Sequence, residues 1–598
     1  MFIHIRIMPR TKTKTHSKCK YESNSDNSSD ECKQSTPKPN PCSKYCKICK
    51  LIPGNNYQKD CQKDCQKDYQ KDYQKDCQKD CQKDCQKDSY CDTITKIVRI
   101  GIADIPSGQT YVITKPGTYS LLKNIFWKPL IDSQAAIVVN SDKVNILFNG
   151  NTLEQCPSTT ADNIGIRVEN SKNVKITNGT IKGFSGVGIF VTGSVDTVTI
   201  EKMVLRNSGY NTKGTFLDPD FARPFIGGII IFGISFTDRI QNVTIDRCDS
   251  SFHSTLFPIV APLTVPAGGA NGISIVKANV VSITNTRTTH MSSNDAAAGL
   301  FFGQCDNLTI DNCVISDMLG DRNANGIDSM VSVVGIDKSN KKVKITNSFI
   351  SDIKIKPGVR VVPLNAGNEA LGLELNAFDF VFKNIYITNV INPVLLAARA
   401  VGFQISNTNG LIEDCEAFNI SCDGVSRAIG FTADGVATNR ITFKNCKSKD
   451  IRAVSNAAAI ACGFRSQLAS NVIFDSCISE GAAALTPALG AGFFLQGAAT
   501  ATITKSISNS NIGVGILVSN NGATKTVDSI VEDNIISKNT LFGILDTVPA
   551  SNNAYYRNRA LRNGTNYSGL PPGTPIRIWT IGTPPAPVSD PLDNISIN

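Results

Sequence analysis

The pentapeptide VKITN occupies residues 174–178 and returns unchanged at 343–347. It is the most regular part of a longer repeated sentence. Residues 163–184 read NIGIRVENSKNVKITNGTIKGF, 271–291 read NGISIVKANVVSITNTRTTHM, and 298–318 read AGLFFGQCDNLTIDNCVISDM. The sentence recurs at 401–420, 429–451 and 514–539. Each instance holds a Gly-Ile-x-Ile piece, a short polar turn, a Val-x-Ile piece ending in a polar residue, and a third short run. Apolar and polar residues alternate within the runs, as in a strand with one buried face. Three such strands in about 22–30 residues bury nothing alone. Stacked on their neighbours, they make a continuous interior.

At 598 residues the chain is longer than the roughly 250–300 residues at which a single compact core stops growing. Growth by repetition avoids that limit. Neither a leucine-rich consensus nor the Trp-Asp of propeller blades is present. The expected class is all-β, a single right-handed parallel β-helix solenoid of about fourteen coils. The coils are expected over 134–564, with a cap or entry segment at 93–133 and a Pro-rich cap at 565–598.

Two columns follow from stacking. Asn178, Asn285, Asn312, Asn347, Asn384 and Asn445 each follow the second strand of a coil. Asn tolerates left-handed backbone angles, so a ladder of Asn is expected at that corner. Cys248, Cys313, Cys415, Cys446 and Cys477 sit at an adjacent position that alternation turns inward. They are read as buried thiols acting as small apolar groups.

Residues 1–92 are of a different kind. From Gln58 to Asp88 the chain repeats QKDC or QKDY. The period of four drifts around a helix and offers no apolar face, so a disordered extension is expected. The stretch holds 11 of the 20 Cys, with Cys42, Cys46 and Cys49 closely spaced. No His completes a zinc set, and no metal or cofactor is expected. The stretch is read as a variable tail that carries thiols, the alternative being a tether cross-linked through disulfides to neighbouring particle proteins.

The net charge of +10 is concentrated in this tail, where residues 1–57 carry 11 Lys/Arg against 4 Asp/Glu. A nucleic-acid reader carries its basic charge on the folded part, so the body is not expected to bind nucleic acid. No run of 18 apolar residues is present, and none would cross a membrane as a helix. The opening MFIHIRIMPR is short for a signal peptide.

The repeat, with the opening ITKPGTYSLLKNI (113–125) and AIVVNSDKVNILFNGNTL (136–153), resembles the right-handed parallel β-helix superfamily of pectate lyases, polygalacturonases and phage tailspikes. The resemblance covers roughly residues 97–560 and implies the fold, not an activity, because that fold hosts enzymes, adhesins and scaffolds. The Asn-Thr-Asp, Asp-Asp, Gly-His-Gly and Arg-Ile-Lys motifs of polygalacturonases are absent, as is the Trp-Ile-Asp-His of pectate lyases. The Lys-, Asn- and Ile-rich composition with its tetrapeptide tract resembles proteins of giant amoeba-infecting viruses, which implies a virion component.

Candidate site residues come from the outward column of the first strand. It reads Arg167, Phe190, Ser274, Phe301, an Asp, Glu374, Gln404 and Thr432. The Asp is Asp328 in one register and Asp337 in the other. Either places two carboxyls one coil apart, close to the ~5–5.5 Å separation of retaining glycosidases. Phe301 is expected to offer a sugar-stacking surface. Insertions at 208–225, 252–268 and 354–368 are expected to wall a groove, with Arg223, His253, Arg360 and Glu369 at its rim. Arg399 and Arg427 are read as partners of Glu369 and neighbouring turns. Two functions remain open. One is a structural or adhesive protein binding a polysaccharide, a glycoprotein surface or neighbouring subunits along its flank. The other is a polysaccharide hydrolase or lyase using Asp328 or Asp337 with Glu374.

Overall fold

The computed structural model describes residues 97–597, except 101–104, 212–216, 219–222, 236–237, 256–268, 330–339, 358–367, 395–397, 407–408, 425–426, 436–439, 454–456, 549–551, 575 and 580–591. The QKDC tract lies outside the described residues. The body is a parallel β-helix. The first face runs through Ile164–Glu169, Val187–Thr192, Arg223–Phe232, Gly269–Val276 and onward, each strand parallel to the next. The second and third faces follow in every coil, as in Ala278–Thr284 and Arg287–Ser293. The helical turn present among the described residues is Pro487–Leu489. No helix among them is long and apolar enough to cross a membrane.

One inward column shows why the sentence repeats. Ile166, Ile189, Ile229, Ile273, Leu300, Ile327 and Leu373 stack in register. Phe403, Phe431, Phe464 and Phe493 continue them. All are buried, and each contributes about 1.5–3 kcal/mol by leaving water. The Gly before this column is a matter of space. A Cβ on Gly272 would lie 2.6 Å from Gly299 O, and one on Gly430 would lie 2.6 Å from Gly463 O. Backbone meets backbone there, and no side chain fits.

The Asn corner is left-handed as expected, with φ between 51° and 62° at all six positions. Asn312 Nδ2 donates to Asn285 Oδ1 at 2.8 Å, and Asn384 Nδ2 to Asn347 Oδ1 at 3.0 Å. Where Asn is missing, Asp serves, since Asn445 Nδ2 donates to Asp414 Oδ1 at 3.3 Å.

The thiol column is inward. Cys415, Cys446 and Cys477 are buried, and no described cysteine is in a disulfide. Burial pushes the Cys415 and Cys477 thiols well above the ordinary range. Cys446 Sγ donates to Ile412 O and Lys444 O, both at 3.4 Å. Ser506 continues the column and finds the equivalent acceptors, Phe474 O and Thr504 O. Farther along, Asn534, Asn558 and Asn594 form a buried amide ladder at 2.9 Å per step. Cys446→Ser is therefore expected to cost only about 1 kcal/mol, because its hydroxyl inherits two acceptors. Native Cys446 should resist alkylation until the protein is denatured. Mass-spectrometric labelling and urea melts check both points, and rapid native labelling would overturn the inward placement.

Both expected ends of the solenoid move outward. Tyr111–Ile113 already pairs with the next first-face strand, and Thr565–Ser568 still pairs with Phe542–Asp546. Asn594–Ile597 adds a third-face strand on Arg559–Leu561. Asn594 accepts from Asn558 Nδ2 and so extends the same buried column, while 575 and 580–591 of the expected cap lie outside the described residues.

Candidate functional site

The first-face outward column is continuous in register from Arg167 through Phe190, Ile230, Ser274 and Phe301 to Asp328. It goes on through Glu374, Gln404, Thr432 and Arg465 to Phe494. The register thus puts Asp328 directly opposite Glu374. Asp337 and Arg360 lie outside the described residues. Arg223 lies on the strand Arg223–Phe232.

The outward column was expected to meet solvent, and most of it does not, with Arg167, Phe190 and Glu374 half-buried and the rest buried. Phe301 is 3% exposed, Asp328 4% and Gln404 6%, and Ser274 and Thr432 are buried. Much of the outer side of this face is apolar. Ile164, Val187, Ile230, Phe232, Val276 and Phe301 form one buried cluster. Leu371, Val401, Ile429, Cys462 and Phe494 belong to another. Phe301 is therefore packed within a cluster and presents no open ring for stacking.

The polar row is held by short contacts. Asn325 Nδ2 donates to Asp328 Oδ2 at 2.8 Å. Gln404 Nε2 donates to Glu374 Oε1 at 3.2 Å, and Glu374 is half-buried. Arg399 pairs with Glu369 at 2.7 Å. Burial opposes the Arg399 charge, but Glu369 and then Glu374 outweigh it and hold the guanidinium above its ordinary range. Arg427 does not join Glu369; its Nη1 donates to Gln467 Oε1 at 3.0 Å. Thr432 Oγ1 donates to Asp434 Oδ1 at 2.7 Å. Arg465, Asp434, Gln467 and Gln496 were missed in the sequence. The signal was present, since ACGFRSQ (461–467) is the same sentence with Phe for Ile and Arg at the outward position.

His253 does not reach a groove rim. It is fully buried, its Nδ1 accepts from the Ser208 N–H at 3.1 Å, and its Nε2 lies 2.9 Å from Ser250 Oγ. Ser250 in turn donates to Gly272 O at 2.8 Å. The preceding Phe252 is left-handed, at φ 60°. That single residue inverts the alternation, so Phe252 points outward and stacks on His290, with centroids 4.4 Å apart. Burial pushes the His253 imidazole down to about 3, too low for a proton shuttle near neutrality. Among the described residues, no group of three or more His, Cys, Asp or Glu is placed to hold a metal ion.

No family model matches the chain, and no curated protein matches it. Among solved structures, the A-module of the Azotobacter vinelandii mannuronan C-5 epimerase AlgE6 is similar at a TM-score of 0.25 and 10% identity, over 81% of this chain and 90% of that one. The periplasmic alginate epimerase AlgG is similar at 0.27 and 9%, over 78% and 84%. The family 28 exopolygalacturonase of Yersinia enterocolitica is similar at 0.23 and 10%, over 79% and 78%. Likenesses of this degree decide neither substrate nor activity. The parallel β-helix rests on the strand registers of the chain itself.

Proposed function

We propose that the body is a structural or adhesive β-helix that binds a glycan along its first face. The observation that carries this reading is the row Asp328, Glu374, Gln404 and Thr432 on consecutive coils, with the Arg399–Glu369 pair beside it. A linear polymer lying along the axis would follow coils about 4.7–4.9 Å apart and would meet the half-buried Glu374 and the Arg399–Glu369 pair directly, with Gln404 holding Glu374 from its buried position. A setting on a virus particle, with the tail cysteines tethering it to neighbouring proteins, belongs to the same proposal and rests on composition alone.

A second reading, hydrolysis or elimination, is favoured by one feature. Asp328 and Glu374 face each other on adjacent strands, near the separation at which two carboxyls act as acid and nucleophile. The burial of Asp328 and its bond from Asn325 keep it from an incoming substrate and weigh against catalysis.

A panel of immobilised acidic and neutral glycans, read beside release of reducing ends, tests both. Wild type should bind at least one glycan and release no reducing ends. Glu374→Gln should weaken that binding about tenfold or more, the effect of losing one charged hydrogen bond. Its stability should stay within about 1 kcal/mol of wild type, because Glu374 is half-buried and Arg399 keeps Glu369. Absence of binding to every glycan would sink the proposal. Reducing ends that vanish in both Asp328→Asn and Glu374→Gln would replace it with the catalytic reading.

A further inference from the structure

Two coils beyond Gln404, the same column reaches Arg465. Its side chain is 2% exposed. Nη2 donates to Gln496 Oε1 at 2.7 Å, while Nε and Nη1 are buried with no hydrogen-bond partner. Gln467, the acceptor for Arg427, pairs in register with Gln496. Two guanidinium groups therefore arrive at consecutive glutamines of one column.

This arrangement is electrically incomplete. Burial, then the positive charge of Arg427, push Arg465 down to about 10, which still leaves it protonated at neutral pH. The nearest thiol gives no counter-charge, because burial pushes Cys462 up to about 12. Asp434 supplies a nearby negative charge, but it stands against the positive charges of Arg427 and Arg399 as well as that of Arg465. Water could satisfy the two free donors but not the charge. A buried guanidinium with two of its nitrogens unpaired, in a cluster with more positive than negative charge, is costly. The free Nε–Nη1 edge of a guanidinium is the fork that receives two oxygens of one planar or tetrahedral oxyanion.

We infer that Arg465, with Arg427 beside it, forms a binding site for an oxyanion, a carboxylate, sulfate or phosphate group, on the outer side of the first face. The inference does not depend on the neighbouring row binding glycan, because a free inorganic ion can occupy the site.

The test is thermal unfolding of the full chain in chloride, with sodium sulfate added at matched ionic strength. In chloride alone, Arg465→Met should melt at or above wild type, since it removes a buried charge with two unpaired nitrogens. Added sulfate should raise the wild-type midpoint to a plateau and raise Arg465→Met only by the small non-saturating increment of an excluded salt. Arg427→Met is half-buried and carries the test if the first variant does not fold. It should shift the sulfate dependence to at least about tenfold higher concentration, as expected for one lost charge-assisted contact. A carboxylated oligosaccharide and its neutral counterpart form a second arm. Stabilisation by the former alone identifies an oxyanion carried on a glycan, and stabilisation by sulfate identifies a free one. Equal, unsaturable responses of wild type and variants to both probes would overturn the inference.

Discussion

Phe431→Ala should destabilise the body by about 3–5 kcal/mol, the range for a large aromatic removed from a core that cannot collapse. Phe431 stacks between Phe403 and Phe464, with centroids 4.5 and 4.9 Å away and planes within 7° and 5°. Phe443 adds an edge contact at 6.0 Å. Ring pairs of this kind contribute about 0.5–1.5 kcal/mol each beyond their buried area. Collapse is blocked because the coils above and below are fixed by parallel ladders on all three faces. Phe431→Leu fills most of the space and should cost about 1–2 kcal/mol. Phe493→Ala should cost less than Phe431→Ala, because Phe493 meets Phe464 on one side and Ile516 on the other. Urea melts give the midpoint shift. Hydrogen exchange shows whether the coils around 431 open before the rest, as nearest-neighbour stability in a solenoid requires. A Phe431→Ala midpoint within about 0.5 kcal/mol of wild type would contradict the packed aromatic column.

The features legible in the sequence were those set by one residue in every coil. An Asn that must turn left-handed and a Cys that must point inward leave the same letter at the same place in successive sentences. The repeated Gly-Ile-x-Ile was legible as a strand, although its Gly became explicable only when Gly272 and Gly299 proved to lie backbone to backbone. The burial of the first face's outer side was harder to read. Alternation tells which side of a sheet a residue takes, not whether that side is covered. The clue was FIGGIIIF at 225–232, where odd and even positions are both apolar, as on a strand buried on two faces. His253 was misplaced for a different reason. A left-handed residue inside a strand shifts alternation by one, and nothing about Phe252 announces that it will adopt φ 60°. Asp328 and Asp337 were equivalent in the sequence because two Gly-Ile-Asp phrases stand close together, and only the ladder from Phe301 to Glu374 distinguishes them.

Acid should weaken the protein well above the range of its carboxylates, and His253 is the group expected to cause it. In the folded chain this imidazole titrates at about 3, against about 6.5 in an unfolded chain. Because burial lowers the folded value, the unfolded chain binds the extra proton first. The stability contribution is complete above pH 6.5 and is lost as the pH falls from 6.5 towards 3, at about 1.4 kcal/mol per pH unit. Between pH 6.5 and 5 the loss is about 2 kcal/mol. Two contacts enforce the neutral form. The Ser208 N–H needs a lone pair on Nδ1, and the Nε2 proton then points at Ser250 Oγ, whose own proton goes to Gly272 O. Protonating Nδ1 would set N–H against N–H inside the coil. His253→Gln should be about 1–3 kcal/mol less stable than wild type at pH 7.5, through imperfect replacement of these bonds. It should lose little more between pH 6.5 and 5, so the two stability curves converge on acidification. Urea midpoints across that range measure the convergence, and exchange of the Ser208 amide reports it locally, since that amide should lose protection in wild type first. Parallel curves for wild type and variant would show that the His253 cavity admits the charged ring, and would remove it as the origin of acid sensitivity.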